Sequence, residues 1–132
     1  MKRLIIITAW AVIGVLAWAT LARVGLMYAF YYKLSPLVGH PSMGTFATVE
    51  HVIAFALFGG LFAFAYPNRV IFVCGVVFVT AVMLEYLQTL TPDRHGTILD
   101  ACQKIAGGSL GILAARATLW WHLHDRDGPR SG

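Results

Sequence analysis

The chain of 132 residues is 58% hydrophobic and 12% charged, and this composition excludes a small soluble domain, which would need a more polar surface. Each membrane-spanning helix takes about 20 mainly apolar residues, so the length allows four spans with short connections and excludes a soluble catalytic domain among these residues. The net charge of +4 comes from Lys and Arg residues without a basic cluster, which indicates membrane topology and lipid contact rather than nucleic-acid binding.

The first predicted span covers residues 4–22. Its apolar run of about 20 residues is longer than the hydrophobic region of a signal peptide, which favours a retained anchor. Four aromatic residues within positions 28–32 then indicate a membrane interface. An irregular loop with Pro and Gly leads from there to the second predicted span at residues 49–66.

A tight turn separates the second and third predicted spans, because Pro67 ends a helix and Asn68 tolerates unusual backbone dihedrals. The third span is predicted at residues 70–90 and the fourth at residues 98–121. Residues 122–132 form a polar tail, which we expect to be disordered.

Basic residues near the span ends predict the orientation in the membrane. One side would carry both termini and six basic residues: Lys2, Arg3, Arg69, Arg116, Arg126 and Arg130. The other side would carry three: Arg23, Lys33 and Arg94. Since an excess of Lys and Arg marks the cytoplasmic side, the sequence predicts a single all-α domain over residues 1–132, a four-helix transmembrane bundle with both termini cytoplasmic.

Most of the polar residues within the predicted spans fall at one end of the bundle, the outer end. Three spans contribute two residues each to this polar layer: Glu50 and His51, Glu85 and Gln88, and Asp100 and Lys104. An ionisable group inside a membrane is unfavourable by a few kcal/mol and normally faces the bundle interior or a cavity. Helical spacing puts Glu85 and Gln88 on one face with Ala81 and Cys74. We therefore predict that the last four residues of the layer lie within mutual reach.

The fourth span carries a second stripe at helical spacing. Its residues are Asp100, Lys104, Gly107, Gly111 and Ala114. Asp100 precedes Lys104 by four residues, the favourable order for an ion pair along a helix. Gly107 and Gly111 form a GxxxG pair, which allows the backbone of another helix to approach closely. The stripe is therefore predicted to be buried against protein.

Several polar residues also have simpler interpretations. Arg116, near a Trp pair, is predicted to be an anchor that extends its guanidinium to the membrane surface. His122 and His124 are interpreted as ordinary tail residues. Taken alone, Glu50 is a favourable acid at a helix N-terminus, and His51 is a core histidine bonded to a neighbouring backbone group.

Three segments resemble the VanZ-like membrane protein family, and together they cover residues 50–111. They are EHVIAFALFGGL at 50–61, LEYLQTLTPDRHGTILD at 84–100 and DACQKIAGGSLG at 100–111. The positions that match the family's motifs are His51, Glu85, Gln88, Pro92, Arg94, Asp100, Gly107 and Gly111. Ala47 and Thr48 replace an Asp-Lys pair found in many members, and Lys104 replaces a common Asn. We interpret Lys104 as a substitute cation that pairs with Asp100 or Glu85.

The resemblance implies a four-helix, multi-pass protein of the bacterial cytoplasmic (inner) membrane. The family is named for a member linked to low-level resistance to teicoplanin, a glycopeptide antibiotic that acts on the cell envelope. The resemblance therefore implies a role connected with the cell envelope and with antibiotic resistance, without specifying a reaction.

The first functional hypothesis is binding or handling of an anionic lipid or a lipid-linked glycan headgroup at the outer leaflet. Arg94 and His95 in the outer loop would contact phosphate, and Glu85, Gln88 and His51 would line the pocket beneath them. Alternatively, Arg94 would hold the bundle together by pairing with an acid: Glu85, Asp93 or Asp100. The predicted ligand-binding residues are Glu50, His51, Glu85, Gln88, Arg94, His95, Asp100 and Lys104. The predicted partners are membrane lipids, including lipid-linked intermediates of the envelope, and no nucleic acid.

Two other hypotheses remain open. One is a membrane-embedded hydrolase or transferase, in which His51, Glu85 and Asp100 would supply acid–base chemistry or bind a divalent metal, although the chain contains no motif of a known mechanism. The other is a non-catalytic structural or accessory subunit whose polar layer sets the helix register. No cofactor is expected, and the sequence leaves open the oligomeric state and the identity of the lipid.

Overall fold

Four apolar runs of the chain fold as helices, because a segment inside a membrane must satisfy its backbone hydrogen bonds internally. The computed structural model describes residues 2–21, 43–90 and 97–126, together with Lys33. In chain order the helices are α1 (Lys2–Leu21), α2 (Met43–Ala65), α3 (Val70–Thr89) and α4 (Ile98–Arg126). All four are long and apolar enough to cross a membrane, so the predicted all-α architecture with four spans is confirmed. The cytoplasmic location of the termini and the single domain over the whole chain stay predictions.

Two helices extend beyond the predicted spans. Helix α2 begins at Met43, six residues before the predicted start, and α4 ends at Arg126, five residues after the predicted end. The expectation of a disordered tail is wrong for residues 122–126, which are helical. Neither Gly nor Pro occurs between Gly111 and Gly128, so the helix continues past the apolar span.

Helices α2 and α4 form the most extensive contact of the described bundle, because glycines remove side chains from between the two backbones. A Cβ atom added at Gly107 would lie closer than 3.0 Å to the backbone of Val52, and one added at Gly111 would lie closer than 3.0 Å to the backbone of Ala56. The GxxxG pair of α4 therefore packs directly on α2, as small residues allow in membrane helices.

Helix α1 packs on α2 and α3. Its Trp10 donates a hydrogen bond of 3.0 Å from Nε1 to the hydroxyl of Tyr66, just past the end of α2. At the same level, Arg116 of α4 donates to the backbone carbonyl of Pro67. The N-terminal half of α1, the α2–α3 turn and the C-terminal half of α4 therefore lie at one end of the bundle, which we call the turn end. The start of α2, the end of α3 and the start of α4 lie at the opposite, polar end.

The stripe predicted on α3 is buried near the polar end, but Cys74, nearer the turn end, is exposed. The buried residues of α3 instead step by four along the row that runs from Val73 to Glu85. On α4, likewise, Ala114 is exposed and Ala115 is buried. Such rows pack when two helices interdigitate along i±4 ridges, as helices with small contact residues do. The predicted stripes are therefore wrong at Cys74 and Ala114, which are exposed, and the buried residues are their neighbours Val73 and Ala115.

Candidate functional site

The centre of the polar layer is an ion pair between α3 and α4. Lys104 on α4 donates a hydrogen bond from Nζ to Oε2 of Glu85 on α3. Lys104 is 0% exposed and Glu85 is 7% exposed. Either charge alone would be strongly unfavourable at this depth, so each residue compensates the other. The sequence left Asp100 and Glu85 as alternative partners of Lys104, and the structure shows Glu85.

Thr97 joins Glu85 to the start of α4. Its backbone N–H donates to Oε1 of Glu85 at 2.8 Å, and its hydroxyl donates to Oδ2 of Asp100 at 2.7 Å. The same hydroxyl oxygen accepts from the backbone N–H of Asp100 at 3.1 Å, as the N-cap residue of a capping box does. In that motif the acid at the third helical position usually binds the N-cap N–H. Here Glu85 from a different helix binds it.

His51 and Asp100 form the more open part of the layer. Nδ1 of His51 lies 3.7 Å from Oδ1 of Asp100, which is longer than a hydrogen bond, and the two side chains are 14% and 27% exposed. Nδ1 of His51 and Oε1 of Gln103 are buried and make no hydrogen bond of good geometry with a described residue, but the two side chains lie close enough to interact with each other. An imidazole and an amide each have further donor or acceptor capacity, so His51, Gln103 and the more exposed Asp100 are candidates to bind a polar group of a ligand.

The residue set predicted from the sequence omits two members of this site, Thr97 and Gln103. The Thr-x-x-Asp spacing of residues 97–100 is a sequence signal for the first, since it precedes an apolar run as the N-terminus of a helix does. Gln103 follows Asp100 by three residues and thus shares its helix face. The two polar residues were therefore detectable by spacing, although their partners were not.

Four other residues were predicted to belong to the site, and the structure describes two of them, Gln88 and Glu50. Gln88 is buried on α3, about one turn beyond Glu85, and Glu50 is half-buried at the start of α2. Arg94 and His95 lie outside the described residues, as does the rest of the loop at residues 92–96. Of the four residues predicted to lie within mutual reach, the described hydrogen bonds join Lys104, Glu85 and Asp100, the last of them through Thr97.

Carboxylates outnumber basic groups in the described part of the polar layer. Glu50, Glu85 and Asp100 share it with one lysine, Lys104. Carboxylates and imidazoles suit hydroxyl groups, because an ionised carboxylate accepts hydrogen bonds and a neutral histidine both donates and accepts them. Within residues 2–21, 43–90 and 97–126, no group of three or more His, Cys, Asp and Glu side chains is arranged to hold a metal ion. The described layer is therefore better suited to hydroxyl groups than to phosphate.

Comparison with known proteins identifies one family. A sequence profile described as VanZ/LLP1 matches residues 4–121, a range that includes most of each of the four helices. The match confirms the resemblance that the motifs within residues 50–111 indicated. No curated protein and no solved structure matches the chain.

Proposed function

The chain belongs to the VanZ/LLP1 family, and on this basis we propose that it binds the headgroup of an anionic lipid or a lipid-linked glycan of the cell envelope at its polar layer. The observation that supports this most strongly is the open part of the layer, where the side chains of His51 and Asp100 are 14% and 27% exposed beside the buried Lys104–Glu85 pair. A hydroxyl-bearing headgroup supplies a donor and an acceptor for such side chains. The half-buried Asp100 accepts a further hydroxyl.

The hydroxyl groups and the phosphate of the proposed headgroup bind to different residues of the protein. The acidic excess of the described layer suits hydroxyl groups and repels phosphate. Arg94 and His95, which the sequence puts between α3 and α4, supply the cations that phosphate needs, because a guanidinium binds phosphate with two parallel hydrogen bonds. A glycan attached to lipid through phosphate contains both kinds of group.

A second function, that of a structural or accessory subunit, is supported by the Lys104–Glu85 pair. The pair is buried and joins α3 to α4, so it contributes to the register of the helices without any ligand. The two functions differ in how substitutions in the polar layer affect co-purifying lipid, because lipid occupancy depends on His51 and Asp100 only if the headgroup binds at the layer.

Native mass spectrometry of the detergent-solubilised chain tests the proposal. We expect an envelope lipid to remain bound to the wild-type protein and its occupancy to fall at least about tenfold in His51→Leu and in Asp100→Asn, the equivalent of one charge-assisted hydrogen bond. Asp125→Asn is the matched control for the second variant, because Asp125 is exposed on the same helix at the turn end.

Two results would count against headgroup binding at the layer. One is wild-type protein that carries no lipid, and the other is equal lipid occupancy in Asp100→Asn and Asp125→Asn. Either result would favour the structural function, which depends on the buried Lys104–Glu85 pair rather than on a bound lipid.

We also propose that the polar layer faces the outer leaflet of the bacterial cytoplasmic membrane, because the turn end carries the larger number of Lys and Arg residues. Alkaline phosphatase is active only outside the cytoplasm. A fusion after residue 95 should therefore be active, and a fusion after Arg69 should be inactive. The reverse pattern would put the polar layer on the cytoplasmic side.

A further inference from the structure

A cavity at the turn end lies far from the polar layer. Its volume is about 680 Å³, and its lining includes Asn68, Arg116, Leu119, Trp120, His122 and Leu123. Helix α4 forms one wall, because it continues from Arg116 to Arg126, a distance of about 15 Å at 1.5 Å per residue. The α2–α3 turn forms the other wall. Two of the lining residues, His122 and Leu123, belong to the helical extension beyond residue 121 that the sequence did not predict.

Arg116 is held in the wall of this cavity by one hydrogen bond. Its Nη1 donates to the backbone carbonyl of Pro67 at 3.2 Å, and no described residue supplies an acceptor for its other N–H groups. A guanidinium has five N–H donors in a fixed planar arrangement. The donors that remain are therefore suited to an acceptor with two oxygens, such as a phosphate.

The charge at the turn end favours an anion. The described basic residues there are Lys2, Arg3, Arg69, Arg116 and Arg126, and the described acid is Asp125. The polar end has the opposite balance, with three acids and one lysine in the described layer. An anionic group is consequently attracted to the turn end and repelled from the described part of the polar layer.

The cavity also has an apolar wall. Leu119, Trp120 and Leu123 follow Arg116 at three, four and seven residues, so the four residues share one face of α4. Trp and Leu side chains next to a cation match the junction of a lipid headgroup and its acyl chains. A soluble anion would use only the cation.

We propose that this cavity binds the phosphate headgroup of an anionic phospholipid in the leaflet opposite the polar layer. Arg116 binds the phosphate, and Leu119 and Trp120 contact the upper part of the acyl chains. Anionic lipids bind more tightly than zwitterionic ones, because the ammonium group of a zwitterionic headgroup is repelled by the basic residues at this end. The site is independent of the polar layer and of any ligand there.

Titration of the detergent-solubilised full chain with phosphatidylglycerol or phosphatidylcholine, read by native mass spectrometry, tests the proposal. We expect wild-type protein to bind phosphatidylglycerol more tightly than phosphatidylcholine. Arg116→Gln should weaken phosphatidylglycerol binding roughly tenfold, the loss of one charge-assisted hydrogen bond. The matched control is Arg69→Gln, which removes an exposed basic residue at the same end but outside the described lining, and it should change binding by no more than about twofold.

A second pair of variants tests the site even if Arg116→Gln fails to fold. His122 lines the cavity, whereas the ring of His124 stacks on Trp120 at 4.8 Å. His122→Asp should weaken phosphatidylglycerol binding more than His124→Asp does. Equal losses within either pair of variants, or equal binding of the two lipids by the wild type, would overturn the proposal. Displacement of phosphatidylglycerol by inorganic phosphate, beyond the effect of sodium chloride at the same ionic strength, would assign the cavity to free phosphate instead.

Discussion

Replacing Lys104 with Met is expected to lower the free energy of unfolding by about 3–5 kcal/mol, because the carboxylate of Glu85 then stays buried without its cation. The N–H of Thr97 still donates to this carboxylate, but one backbone donor does not replace a full positive charge. Titration of the detergent-solubilised protein with sodium dodecyl sulfate, followed by circular dichroism, measures the change.

The double variant Glu85→Gln with Lys104→Met is expected to recover most of this loss. A neutral glutamine still accepts the hydrogen bond from Thr97, and the buried layer then contains neither charge of the pair. Lys2→Met is the matched control, because Lys2 is exposed and its removal should change stability by no more than about 0.5 kcal/mol. If Lys104→Met were as stable as Lys2→Met, Lys104 would not be compensating the buried charge of Glu85.

Gly111→Leu is expected to destabilise the bundle by at least about 3 kcal/mol, at or beyond the upper end of ordinary overpacking. The atoms that the new Cβ would meet belong to the backbone of Ala56, and a backbone cannot rotate away as a side chain can. The helices α2 and α4 would have to separate, and the same sodium dodecyl sulfate titration would detect the loss.

Gly75→Leu is the matched control for this prediction. A Cβ at Gly75 of α3 meets no atom within 4 Å in the described structure, so the substitution has room. Leucine is a better helix former than glycine by up to about 1 kcal/mol, and we expect Gly75→Leu to be as stable as the wild type or slightly more stable. Equal stability of the two leucine variants would contradict direct backbone packing between α2 and α4.

The same packing positions the candidate functional site. Gly107 contacts the backbone of Val52, the residue next to His51, and Asp100 lies two turns before Gly107 on the same helix. The close approach of α2 and α4 therefore sets the 3.7 Å separation of His51 Nδ1 and Asp100 Oδ1. A large side chain at Gly107 or Gly111 should thus weaken headgroup binding as well as stability. A large side chain at Gly75 should weaken neither headgroup binding nor stability.

Much of the architecture could be predicted from the amino-acid order. The number of spans follows from the lengths of the apolar runs, because each crossing needs about the same number of residues. The common depth of Glu85, Asp100 and Lys104 follows from their distances to the span ends, and the closeness of α4 to a partner helix follows from its glycines. These properties depend on residues close together in the chain.

Other properties depended on how the helices cross, which spacing along one helix does not specify. Asp100 and Glu85 were both acceptable partners for Lys104, and only the packing of α3 against α4 selects Glu85. The i±4 contact row buries Val73 and exposes Cys74, although the two positions are adjacent in the sequence. Thr97 acquires its partner Glu85 from another helix, and the turn-end cavity exists because α4 continues past the α2–α3 turn. Tertiary structure decided these contacts because each joins residues on different segments, and the distance between them depends on how two helices are placed relative to each other.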